Sequence, residues 1–127
     1  MKIRIKGNSL RIRLTRTEVS KLSETGYLEE ETLFAGNKTD SYRFVYALQR
    51  VDNGNELSAT LDTNKITMFV PGKLIKDWPE NNVVGFNSKM PVAENDMLYL
   101  LLEKDFVCLN TTKEDQSDHY VNPDKIS

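Results

Sequence analysis

The chain has 127 residues, with 17 Lys and Arg, 19 Asp and Glu and one His, and a formal net charge of −2 at pH 7. This length fits one domain, and a composition of 39% hydrophobic and 28% charged residues is typical of a globular protein. The single Cys excludes an intramolecular disulfide and Cys-rich metal sites, and the single His excludes His-pair metal motifs. The net charge argues against non-specific nucleic-acid binding, for which a basic domain is expected.

The sequence carries no recognisable targeting segment. Its N-terminus lacks the apolar core of a secretory signal, and no segment approaches the roughly 20 apolar residues that span a bilayer. With one thiol in the chain, these features predict a cytoplasmic protein without a membrane partner.

Apolar and basic residues alternate over residues 2–14, with the period of two that is typical of a half-buried strand pair. A two-residue turn at Gly7-Asn8, with Gly in the first position, favours a type II′ hairpin. The resulting register places Ile5 opposite Leu10.

A helix is predicted over about residues 16–25. Thr15 is a good N-cap, and Glu18 three residues later completes a capping box. Gly26 can adopt the left-handed conformation that ends a helix.

Four strands are predicted to follow the helix, over residues 27–34, 41–51, 57–61 and 66–70. Asn53-Gly54 is a strong hairpin signal, and Thr63-Asn64 can form a second tight turn. Together the two turns predict an antiparallel meander in which Leu48 lies opposite Ala59, and Leu61 opposite Ile66.

The remaining elements complete an α+β fold. A helical turn is predicted near residues 73–78, a short strand at 83–86, and one long strand or two over 97–109. We therefore expect a mainly antiparallel sheet that could curl into a partly open barrel, with one short N-terminal helix and the helical turn. We expect residues 1–109 to form a single globular domain and residues 110–127 to be a polar tail of that domain, which is ordered only if it docks on the rest.

Three segments resemble a family of small uncharacterised bacterial proteins. They are KIRIKGNSLRIRLTRTEV at residues 2–19, LLEKDFVCLN at 101–110 and EDQSDHYVNP at 114–123. The resemblance covers most of the chain. It implies no activity, because the family has none assigned.

A weaker likeness concerns architecture. A basic, alternating first strand and charged strand faces resemble the triphosphate-tunnel enzymes, which carry a Glu-x-Glu-x-Lys strand near the start. This chain opens with Lys2-x-Arg4-x-Lys6, and Glu29-x-Glu31 is followed by Leu33 where the family has Lys. The metal-ligating carboxylates of that family are therefore missing from the expected place.

The most informative feature is the basic hairpin, because residues 1–16 hold six cations and no acid. The register puts Arg4 opposite Arg11, and like charges directly opposite one another destabilise a hairpin. A bound anion would offset them, since Arg binds phosphate oxygens as a bidentate fork. Carboxylates of the same chain, from residues 17–40 or 94–127, could offset them instead. The candidate anion-binding residues are Lys2, Arg4, Lys6, Arg11 and Arg13.

Two other polar groups allow both a functional and a structural interpretation. Glu29 and Glu31 share one face of a strand and could bind a divalent metal, but a solvated face or a partner for the basic hairpin is simpler. Cys108 and His119 could form a nucleophile pair, or a metal site with Asp118. Alternation of Cys108 with apolar neighbours favours a buried, inert thiol.

The aromatic residues also have two interpretations. Tyr42, Phe44 and Tyr46 could stack on bases, but their alternation with the apolar positions of the meander predicts core residues. Trp78, beside a proline, is predicted to close one end of that core, with an exposed interaction surface as the alternative.

The sequence shows no phosphate-binding loop, nucleophile elbow, zinc-binding helix motif or dinucleotide fingerprint. We therefore predict no catalytic residue, metal site or cofactor. The favoured function is a small cytoplasmic binding or accessory protein, whose partner is a phosphate-containing small molecule or an acidic protein surface. One alternative is a metal-dependent phosphate-ester or polyphosphate hydrolase of the tunnel-barrel type. A second is a structural subunit that pairs through an exposed strand edge.

Overall fold

Eight strands and two short helices follow one another in the computed structural model, which describes residues 1–36 and 42–106. The strands are β1 (Lys2–Lys6), β2 (Ser9–Leu14), β3 (Tyr27–Leu33), β4 (Arg43–Val51), β5 (Ser58–Asp62), β6 (Lys65–Pro71), β7 (Gly85–Ala93) and β8 (Asp96–Lys104). The helices are α1 (Arg16–Thr25) and α2 (Gly72–Ile75), and a 3₁₀ turn covers Trp78–Glu80. The predicted tail over 110–127 lies outside the described residues.

The first hairpin has the predicted register. Ile5 lies opposite Leu10 and Arg4 opposite Arg11 in an antiparallel ladder between β1 and β2. Of the two turn residues, Gly7 alone has a positive φ, of 54°, as a type II′ turn requires. The apolar residues of β2 are buried and its polar residues are half-buried. The alternation in the sequence therefore predicts correctly which side chains face the core and which face outward.

Helix α1 is bounded by the predicted caps. The Thr15 side chain accepts from the backbone N–H of Glu18, and the Glu18 side chain accepts from the backbone N–H of Thr15. Gly26 ends the helix in the left-handed conformation, with a φ of 79°. The predicted count of one helix is not matched, because the segment near 73–78 contains the separate helix α2 and the start of the 3₁₀ turn.

The predicted meander is wrong at Asn53-Gly54. Strand β4 pairs in parallel with β6, so that Leu48 lies opposite Met68 rather than Ala59. Strand β5 pairs with β6 in the predicted register, through a turn in which Thr63 and Asn64 both have positive φ. The short β5 is mostly exposed towards its end, and the central positions go to β4 and β6, which carry more buried residues.

The strands form two four-stranded mixed sheets. Sheet A has the order β1-β2-β8-β7 and sheet B the order β3-β4-β6-β5. In each sheet, a parallel central pair is flanked by two antiparallel pairs, so both sheets are mixed but mainly antiparallel. The predicted α+β class is therefore broadly confirmed. The described strands form no closed barrel, since the two sheets share no strand.

One hydrophobic core joins the two sheets and the helices. It includes Leu10 and Leu100 from sheet A, Leu48 and Met68 from sheet B, and Leu22 from α1. The helices close one end of this core, because α1 follows β2 and α2 follows β6. The tight turns of β1–β2 and β5–β6 lie at the other end, beside a mainly apolar cavity of about 320 Å³.

The sheet order also fixes which strands share a side of the molecule. The Met1 ammonium, just before β1, lies 2.9 Å from Oε2 of Glu30 in β3. On the opposite side, the Ser88 hydroxyl of β7 donates a hydrogen bond of 2.8 Å to the carbonyl oxygen of Leu57, next to β5. Strands β1 and β3 therefore edge one side, and β7 and β5 edge the other.

Candidate anion-binding face

The outer surface of the first hairpin carries five cations, which we call the basic face. They are Lys2, Arg4, Lys6, Arg11 and Arg13. Because alternate residues of a strand share a face, burial of the apolar residues turns these side chains outward together. Neighbours within one strand are about 6.6 Å apart and the two strands about 4.8 Å apart, so the cations form a dense array.

Glu103 neutralises the β2 side of the basic face. Strand β8 runs parallel to β2 and places Glu103 opposite Arg13. Oε1 of Glu103 accepts hydrogen bonds of 2.7 Å from Nε of Arg11 and 2.7 Å from Nε of Arg13. Its side chain is only 14% exposed, which strengthens these contacts relative to a fully solvated pair.

Asp105 provides a second carboxylate. Its Oδ2 lies 3.0 Å from the Lys2 Nζ. Both carboxylates belong to residues 94–127, one of the two stretches from which neutralising acids were expected. No described acid of residues 17–36 pairs with the basic face.

Arg4 and Lys6 remain uncompensated. Both are exposed, and neither forms an ion pair with any of residues 1–36 or 42–106. The basic face therefore has five cations against two carboxylates. Internal neutralisation, one of the two expected outcomes, is incomplete for the part of the chain that the structure describes.

The acidic residues of β3 bind other partners. The Tyr27 hydroxyl donates a hydrogen bond of 2.6 Å to Oε1 of Glu29, and Lys65 Nζ lies 3.5 Å from the same oxygen. Glu31 accepts from Arg43 at 2.7 Å. The hydrogen bond from Tyr27 holds the pKa of Glu29 below its usual value, and the bond between Lys65 and the Tyr27 oxygen raises the pKa of Lys65. Within one molecule, Glu29 and Glu31 thus bind sheet B cations and not the basic hairpin.

Glu30 points to the other face of β3 and joins a cluster at the chain start. The Met1 ammonium donates to Glu18 at 2.5 Å and lies 2.9 Å from Glu30. Burial lowers the pKa of this ammonium, but its bonds to the two carboxylates outweigh burial and raise the pKa overall. For Glu18, burial raises the pKa, while its bonds to Met1 and Thr15 outweigh that effect and lower it.

The other sequence candidates lie elsewhere. Tyr42 is exposed, which contradicts its predicted core position, while Phe44 and Tyr46 are half-buried. Trp78 is fully buried and donates from Nε1 to the Val83 carbonyl oxygen, which confirms its role in closing the core. The set of Cys108, Asp118 and His119 lies outside the described residues.

The sequence alone did not identify Glu103 as the key partner of the arginines. Its position depends on the parallel pairing of β2 with β8, which joins residues about 90 positions apart. The available signal was an outward-facing acid at the end of the apolar run Leu98–Leu102. That signal marks Glu103 as polar, but it does not say which strand lies beside it.

The tunnel-type hydrolase requires charged faces that converge inside a barrel. Here the basic face and Glu103 lie outside sheet A, Glu29 and Glu31 lie outside sheet B, and the buried core between the sheets is a hydrophobic cluster. Within residues 1–36 and 42–106, no group of three or more His, Cys, Asp or Glu side chains is placed to hold a metal ion.

None of the described helices has the length and apolarity to cross a membrane.

Comparison with known proteins places residues 1–124 within a family model whose description is a family of unknown function. This match agrees with the resemblance to an uncharacterised family without assigned activity. No curated protein matches the chain. No solved structure matches it either.

Proposed function

The chain belongs to DUF7009, a family of unknown function, and we propose that it is a small cytoplasmic binding or accessory protein. The basic face is the binding surface, and it holds an anionic ligand or an acidic protein surface. The residues in contact with the anion are Lys2, Arg4, Lys6, Arg11 and Arg13.

The observation that carries this proposal is the pair of uncompensated cations on β1. Arg4 lies opposite Arg11, whose guanidinium is already bound to Glu103, so Arg4 faces a like charge without a described carboxylate of its own. Like charges at directly opposite positions destabilise a strand pair. An anion bound between Arg4 and Lys6 removes that cost, so its binding is favoured.

The arrangement also indicates the shape of the ligand. Glu103 fixes the orientation of Arg13 through Nε, and the guanidinium of Arg13 carries two further Nη groups. These groups can form the bidentate contacts that guanidinium makes with phosphate or carboxylate. Because the cations lie on the outer surface of a sheet, they suit an extended anion with several charges, such as a polyphosphate or an acidic protein surface.

Thermal unfolding with added anions tests the proposal. Tripolyphosphate, ATP and inorganic phosphate are each added at matched ionic strength, with and without magnesium. A ligand that binds the native state raises the melting temperature in a saturable way. We expect the largest shift with tripolyphosphate, and we expect Arg4→Glu/Lys6→Glu to abolish it.

A matched control separates this effect from a change of net charge. Lys21→Glu/Lys76→Glu makes the same charge change at two exposed positions away from the basic face and should leave the shift intact. Equal shifts in the parent and in Arg4→Glu/Lys6→Glu would overturn the proposal. If binding requires magnesium and tripolyphosphate is consumed, the hydrolase alternative is favoured instead.

A further inference from the structure

The two strands that edge the same side of the molecule carry opposite charges. Strand β1 presents Lys2, Arg4 and Lys6, and strand β3 presents Glu29 and Glu31. We propose that the acidic partner of the basic face is a second copy of this chain, whose β3 pairs edge to edge with β1. This inference rests on the proposed function, because it names the acidic protein surface that the basic face binds.

The topology permits such a dimer to be closed and symmetric. Both β1 and β3 run from the helix end towards the end with the tight turns, and they edge the two sheets on one side. Consider two molecules placed side by side, with a two-fold axis between them that runs parallel to the strands. Rotation about this axis brings sheet B of one molecule level with sheet A of the other. It therefore sets β1 of each copy beside β3 of the other, in parallel, and makes the same contact twice.

In this arrangement the charges meet on the same face. The basic side chains of β1 and the carboxylates of Glu29 and Glu31 all lie on outer faces, so rotation brings them onto one continuous surface. The carboxylates keep capacity for a second partner, since their side chains are 41% and 30% exposed beside Lys65 and Arg43. One ionised carboxylate can accept about four hydrogen bonds.

The backbone of β1 is also available for pairing. In a hairpin with a two-residue turn, the residues that flank the turn form a hydrogen-bonded pair, and such pairs alternate along the ladder. The N–H and C=O groups of Ile3 and Ile5 therefore point away from β2. No described backbone group bonds to them, and the Ile5 side chain is 58% exposed. A neighbouring strand would satisfy these backbone groups and cover Ile5 together.

Charge reversal on each strand gives a sharp test by sedimentation velocity. The full-length parent should be a dimer at low salt, with a dissociation constant that rises with ionic strength. Arg4→Glu/Lys6→Glu makes β1 acidic, and Glu29→Lys/Glu31→Lys makes β3 basic. Each variant alone should dimerise at least about tenfold more weakly than the parent, since like charges then face each other at both contacts.

Mixing the two variants is the decisive measurement. In the mixed pair, the acidic β1 of one chain faces the basic β3 of the other, and the acidic β3 faces the basic β1. We therefore expect equimolar mixing to restore the dimer, while Lys21→Glu/Lys76→Glu stays dimeric throughout. Circular dichroism and thermal melting confirm that each variant is folded. If Glu29→Lys/Glu31→Lys does not fold, the milder Glu31→Gln should weaken the dimer in the same assay.

The failures of the two proposals are distinguishable. A parent that sediments as a monomer at all concentrations, or mixed variants that do not associate, overturns the edge-to-edge dimer. If tripolyphosphate still stabilises such a monomer, the basic face remains an anion-binding surface. The Glu29→Lys/Glu31→Lys variant sharpens this distinction, because it should lose the dimer and keep the tripolyphosphate shift.

Discussion

Arg13 and Glu103 lie directly opposite each other across the parallel β2–β8 ladder, with Nε and Oε1 2.7 Å apart. The same carboxylate oxygen also accepts from Arg11. One acid of the last described strand therefore holds two arginines of the first hairpin. Glu103 therefore both stabilises sheet A and reduces the net positive charge of the basic face.

Removing that acid should change stability and anion binding in opposite directions. We expect Glu103→Gln to lower the free energy of unfolding by about 1–2 kcal/mol, because two guanidinium groups lose a charged acceptor. The same change should enlarge the tripolyphosphate shift, since Arg11 and Arg13 then need another anion. Urea unfolding and thermal shift measure the two effects. Glu94→Gln, at an exposed position, is the control and should alter neither. A smaller shift in Glu103→Gln would contradict the prediction.

The N-cap of α1 should contribute measurably to stability. Thr15→Ala removes the side-chain oxygen that accepts from the Glu18 N–H, and we expect a loss of about 1 kcal/mol in the free energy of unfolding. Thr17→Ala changes the same residue type at an exposed position inside the helix and should cost less. Urea denaturation of both variants checks the difference. Equal losses would show that the cap bond is not responsible.

The cluster of Met1 and Glu18 should stabilise the fold within a defined pH range. The pKa of Glu18 is lowered, so its contribution is present above its unfolded value and is lost as pH falls through the folded pKa. The pKa of the Met1 ammonium is raised, so its contribution is present below its unfolded value and is lost as pH rises through the folded pKa. We therefore expect the cluster to contribute fully between about pH 4.5 and pH 8.

Glu18→Gln tests this range without removing the cap. Gln at this position can still accept from the Thr15 N–H as in a capping box, but it carries no charge. We measure the free energy of unfolding against pH for the parent and for Glu18→Gln. In the variant, this free energy should fall less steeply at both acid and alkaline pH than it does in the parent. An unchanged profile in Glu18→Gln would show that the ion pair does not set the range.

Gly85 is required by a close approach between β7 and β8. A Cβ at this position would lie 2.5 Å from the Leu102 carbonyl oxygen and 2.7 Å from the Glu103 Cβ. We expect Gly85→Ala to cost about 1–3 kcal/mol, because backbone atoms would have to move apart. Gly36→Ala is a suitable control, since nothing lies within 4 Å of its Cβ position. Thermal melting of both variants tests the claim, and equal melting temperatures would refute it.

Elements that depend on neighbouring residues could be predicted from the sequence. The β1–β2 register follows from one turn and one alternating pattern, and α1 follows from Thr15, Glu18 and Gly26. In each case the residues that determine the structure lie within about ten positions of one another. Local steric and hydrogen-bonding preferences are then enough to select the conformation.

The sheet partners could not be predicted in the same way. Asn53-Gly54 can form a tight turn, but a turn signal does not decide whether the chain folds back or crosses to another position in the sheet. Here β4 crosses to pair with β6, so that Leu48 lies opposite Met68, and these two central strands carry more buried residues than β5. The same limit applies to the candidate site. Its cations could be identified from the first hairpin alone, but their partner Glu103 could not, because it is placed by a pairing between distant segments.

The β2–β8 ladder has a consequence for how the chain folds as it is synthesised. Ser9 pairs with Tyr99, about 90 residues later, whereas all four strands of sheet B come from residues 27–71. At translation rates of about 5–20 residues per second, the first hairpin leaves the ribosome roughly 5–18 s before its partner strand. A lone hairpin is marginally stable at best in water. Sheet B can therefore form first and provide a surface on which the first hairpin packs. When β8 is synthesised, its pairing with β2 completes sheet A and fixes the N-terminal hairpin in position.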